Sequence, residues 1–87
     1  MIEKLSETTE LMNSSDFKDR FRAEYYQLGY RTERLRQMLE NWDNLDFTPK
    51  CPKELLQDQL AYMYNYQTVL EKRAKLEEID LLPIKIY

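Results

Sequence analysis

Residues 60–70 read LAYMYNYQTVL, with tyrosines at positions 62, 64 and 66. Alternation with period two belongs to a strand, and aromatic residues favour strands. The same residues lie inside a stretch free of glycine and proline that follows Pro52 and runs up to Pro83. Within it Leu56, Leu60, Met63, Gln67, Leu70 and Ala74 recur at steps of four and three, the spacing of one helical face. A second stripe, Leu55, Tyr62, Tyr66, Val69 and Leu76, runs beside the first. The pattern persists for about 25 residues, far beyond the usual strand length. The stretch is therefore helical. Tyr62 and Tyr66 share a face and Tyr64 points elsewhere.

A matching partner lies upstream. From Phe17 to Trp42 the residues Phe21, Tyr25, Leu28, Thr32, Leu35, Leu39 and Trp42 alternate four and three over three heptads, the seam of a packed helix. Ser14, Ser15 and Asp16 offer N-caps, and Asn, Asp and Pro collect in NWDNLDFTP (41–49) to end the helix. Pro52 suits the first position of the second helix, with Glu54 in its first turn where the helix dipole favours an acid. A link of about ten residues lets the two helices fold back on each other. Pairing across a turn near Phe47 sets Leu35 near Leu60 and Leu28 near Gln67. Ile2, Leu5, Thr9 and Met12 fall on one side of a short N-terminal helix, and LLPIKIY (81–87) cannot continue a helix past Pro83. The expected fold class is all-α: one domain over residues 1–87, with a short helix over about 2–12, a long antiparallel helical hairpin over about 16–42 and 52–78, and a tail over 79–87.

A chain of 87 residues builds a marginal core without staples. The single cysteine, Cys51, cannot bridge internally, and its residue type and place suit a small half-buried residue at a helix start better than a reactive thiol. Two long helices and one short one leave the tyrosine stripe of the second helix uncovered, and a broad apolar surface marks an interface. Self-association into a symmetric homo-oligomer satisfies it. A three-helix monomer, in which the N-terminal helix and tail cover the stripe, is the other arrangement the residues allow.

Chemistry is sparse. There is no histidine and only one glycine, so the commonest general base, the commonest zinc ligand and any glycine-rich phosphate loop are missing. The loop acids Asp43 and Asp46 suit turns better than a metal. The expectation is a non-enzyme without metal or cofactor. No apolar run reaches the roughly 20 residues of a membrane span, no signal-peptide pattern opens the chain, and an unpaired thiol suits a reducing cytoplasm. Charge is segregated: residues 1–16 carry a net −3, residues 17–39 a net +3 and residues 40–46 a net −3. Five of the six cations in the basic helix are arginines, whose planar fork suits phosphate. Arg20, Glu24, Gln27, Arg31 and Arg34 form one polar stripe, and Arg22, Tyr26, Gly29, Glu33 and Arg36 another. The spacing alone permits two readings, a solvated face laced with pairs such as Glu33 with Arg36, or an anion site with aromatic rings for bases. Gly29 has a packing or contact reason, since glycine inside a helix costs about 1 kcal/mol relative to alanine. Duplex nucleic acid does not suit a chain of pI near 5.0.

Two segments carry a family likeness. In the first, Arg20, Phe21, Glu24, Leu28 and Arg31 fit R-L/F-x-x-E-x-x-x-L-x-x-R. In the second, Leu55, Leu56, Gln59, Leu60, Met63, Tyr66, Leu70 and Arg73 fit L-L-x-x-Q-L-x-x-M-x-x-Y-x-x-x-L-x-x-R. Over residues 17–76 the chain resembles a group of small phage proteins that includes the anti-CBASS sponges, which sequester the cyclic oligonucleotide messengers of bacterial immunity. The resemblance implies a homohexamer of helical hairpins in the cytoplasm of the infected bacterial host. It also implies cyclic dinucleotides held between protomers and a separate pocket for cyclic trinucleotides. Carried onto this chain, Phe17 stacks on a base, Arg34 is the basic residue midway along the first helix, and Arg73 belongs to the second pocket. Arg36 stands where the family has a hydroxyl residue. The other function open to such a chain is that of a protein-binding inhibitor, or of a structural helical oligomer, working through protein–protein contacts.

Overall fold

The computed structural model describes residues 12–81. The expected short helix over about 2–12 lies almost wholly outside the described residues, as does the tail beyond Leu81. Two α-helices dominate and no strand occurs among the described residues: α1 spans Phe17–Glu40 and α2 spans Lys53–Leu76. Both ends lie within two residues of those read from the sequence.

Local chemistry sets these limits. Asp16 is the N-cap of α1, and its carboxylate accepts the Lys18 amide at 2.9 Å. Ser14 braces the cap by accepting the Asp16 amide at 3.0 Å and donating to Asp19 at 2.9 Å. At the other end the Asn41 side chain donates to the Gln37 carbonyl at 3.0 Å, and a single 3₁₀ turn, Trp42–Asn44, leads into the link. Pro52 is the N-cap of α2 and not its first helical residue as the sequence reading had it; its carbonyl accepts the Leu55 amide at 3.1 Å. Cys51 is exposed, not half-buried.

The end of α2 came without a sequence signal. Glu78 has φ 55°, in the left-handed region that usually calls for glycine. The Ile79 amide donates back to the Ala74 carbonyl at 2.8 Å and the Glu77 amide to the Arg73 carbonyl at 2.9 Å. This turn folds the chain under, so that Ile79 is buried and Leu81 packs beside it. Lys18 and Arg22 of α1 then donate to the Glu78 and Asp80 carbonyls, at 3.3 and 2.8 Å.

The contacts between α1 and α2 run in opposite directions along the chain. The core consists of Phe21 from α1 and Leu70, Ala74 and Ile79 from the region of α2, flanked by Tyr25, Leu28 and Leu81. Tyr25 donates to Glu71 at 2.6 Å, and Tyr66 donates to Glu24. Each helix thus supplies one phenol and one carboxylate. Because Glu24 and Tyr25 lie about 100° apart around α1, the two bonds reach across from different directions around the helix. Burial beside Glu71, with that carboxylate's hydrogen bond and charge, pushes the Tyr25 phenol well above its ordinary range.

α1 is also closed on faces away from this seam. Ala23, Tyr26 and Gly29 are buried, and the stripe read as a polar flank is solvated at neither Tyr26 nor Gly29. Gly29 has no positive φ, so its missing side chain gives room and not a special backbone shape. Thr32, also buried, donates to the Leu28 carbonyl at 2.6 Å.

Candidate functional site

The two stripes of α2 separate as their spacing requires. On the inner stripe Leu70 and Ala74 are buried, and Leu56, Leu60, Met63 and Gln67 are half-buried. On the outer stripe Leu55, Tyr62, Tyr66, Val69 and Leu76 are all exposed, Tyr62 by 72 % and Leu76 by 85 %. Among the described residues nothing covers that row. An open groove of about 450 Å³ runs along it, lined by Leu55, Asp58, Gln59, Tyr62, Met63 and Tyr66.

The four residues nominated from the sequence fall into two groups. Phe17 and Arg73 each lie against Phe21, at the end of the helix pair where the chain turns under. The Phe17 ring lies 6.2 Å from the Phe21 ring, and the Arg73 guanidinium carbon stands 5.0 Å from the Phe21 ring centre, a cation–π distance. Phe17 is 45 % exposed, so its ring remains available for stacking. Arg73 also approaches Glu77, at 3.8 Å, near the limit of an ion pair.

Arg34 and Arg36 lie about 25 Å further along α1, at 1.5 Å per residue, so one protomer does not bring all four together. Arg34 is exposed, with its guanidinium 5.9 Å from the Tyr30 ring. Arg36 is held by two carboxylates of its own helix, Glu33 one turn before and Glu40 one turn after. The Arg36 hydrogen bond draws the Glu33 carboxyl below its usual value, and Glu33 in turn raises Arg36. The Arg36 charge is therefore offset locally, by acids of its own helix. The carboxylate at i−3 is the pairing visible in the sequence; Glu40, at i+4, could have been found by the same rule.

Among the described residues, no group of three His, Cys, Asp or Glu side chains is placed to hold a metal ion, and no helix is long and apolar enough to cross a membrane. What the surface offers is aromatic rings, guanidinium groups and an uncovered apolar row.

A family model described as Sequestin matches residues 15–76, well over half of the chain. The chain belongs to the Sequestin family. Its name denotes sequestration, in keeping with the sponge proteins that the sequence resembles. The Sequestin match begins beside the Asp16 cap and ends with the last residue of α2, so it takes in both helices and all four nominated residues. Comparisons with curated proteins and with solved structures gave no match.

Proposed function

We propose that this Sequestin-family chain is a non-enzymatic phage anti-defence protein that captures cyclic di- and trinucleotide immune messengers in the cytoplasm of the infected host. The observation that carries the reading is the family match across both helices. The exposed row Leu55, Tyr62, Tyr66, Val69 and Leu76 supports its second element, a homo-oligomer, of which the hexamer is the form the resemblance implies. A sponge acts by mass action. It needs tight binding and slow release, and breaks no bond, so rings to stack on bases and guanidinium forks for phosphates suffice.

Calorimetric titration with a panel of cyclic di- and trinucleotides tests the proposal, with ligand recovered after denaturation and checked for integrity. Binding with unaltered ligand is the expected result. No heat from any member at micromolar protein would end the reading. Arg34→Ala should weaken dinucleotide capture about tenfold, the order of one lost charge-assisted contact, while leaving the oligomer mass by light scattering unchanged. Dissolution of the oligomer by that change would make Arg34 a structural residue.

A further inference from the structure

We infer that Phe21 is a positioning residue for ligand capture, the shared floor that presents Phe17 and Arg73 together. The inference rests on the sponge reading above. Phe21 is 3 % exposed and packs with Leu70, Ala74 and Ile79, so its ring is held within the core. Phe17 meets it at 6.2 Å with the planes inclined by 60°, and Arg73 lies over it at 5.0 Å. Both neighbours stay half out in solvent, Phe17 at 45 % and the Arg73 side chain at 48 %.

A guanidinium drawn to a ring by charge keeps its N–H groups for a phosphate, and the ring limits how far the long side chain can wander. Glu77, at 3.8 Å, competes weakly for Arg73. The resemblance assigns Phe17 and Arg73 to different pockets, one for dinucleotides and one for trinucleotides. In this chain the two residues then rest on one buried support, Phe21. Its loss is felt in both.

The experiment is calorimetry of Phe17→Ala, Arg73→Ala and Phe21→Leu with one cyclic dinucleotide and one cyclic trinucleotide. Phe17→Ala is expected to weaken the dinucleotide and Arg73→Ala the trinucleotide, whereas Phe21→Leu weakens both by about three- to tenfold. Phe21→Leu leaving either affinity within twofold of the parent overturns the inference, and so does a parent protein that binds only one of the two classes. A parent that binds neither removes the sponge reading itself. Should Phe21→Leu fail to fold, the unaltered protein still decides. Its Arg73 Nε–H proton must show the upfield ring-current displacement of a group over an aromatic face, and a random-coil position overturns the assignment.

Discussion

The half of the helix pair around Phe21 and the half around Leu56 share one heptad spacing, yet they are closed to different degrees. In the first, Phe21, Leu70, Ala74 and Ile79 exclude water, and the chain turning under at Glu78 brings Ile79 in as a fourth wall. In the second, Leu56, Leu60 and Met63 are only half-buried, and no residue of α2 before Leu70 is buried. Two helices in line contact shield a narrow stripe, and a third element is needed to dry it. The turned-under residues supply that element at one end. At the other the helices face water along the tyrosine row.

Changes in core volume draw the sharpest contrast between the halves. Leu70→Ala should cost about 2–5 kcal/mol in urea unfolding, because Leu70 is 1 % exposed and the gap cannot refill. Leu56→Ala should cost about 1 kcal/mol or less for the dissociated protomer, since its half-buried side chain has less to lose. Equal costs at the two positions would break the comparison.

Hydrogen bonding gives the next effect. Tyr25→Phe removes the bond to Glu71 and should cost about 0.5–1.5 kcal/mol by the same unfolding measurement. Glu78→Gly should move stability the other way, by about 1 kcal/mol, because glycine takes the left-handed turn without its side-chain penalty. A loss of stability on that change would mean that the Glu78 side chain itself holds the packed end.

Titration should be the smallest effect. The Tyr25 phenol is raised in the folded protein, so its share of stability is complete below its unfolded value near 10 and is lost as pH climbs above it. The Glu33 carboxyl is lowered, so its share is complete above its unfolded value near 4.3 and fades as pH falls through the folded one. Thermal melting across pH should show the alkaline loss shrink in Tyr25→Phe and the acid loss shrink in Glu33→Gln.

Much of this architecture is legible in the chain. Caps and prolines mark the helix ends to within two residues, and period 3.5 divides inner from outer stripe because each residue's direction around a helix depends only on local geometry. Degree of closure is not local, and the spacing at Leu56 and at Leu70 looks alike. The turn at Glu78 was invisible because its backbone shape belongs to glycine, and the only glycine lies 49 positions earlier, in α1. The burial of Tyr26 was missed because only one face of α1 was assigned a partner, whereas Gly29, a costly residue inside a helix, did signal a packing or contact reason. At the candidate site the residue types were readable and their grouping was not. Phe17 and Arg73 share Phe21 only through the register of one helix against the other.

The reciprocal tyrosine–glutamate bonds constrain how this pair can move. A slip of one helical turn, about 5.4 Å, would strand both phenols and both carboxylates at once. The two latches together act as a detent against one helix sliding along the other.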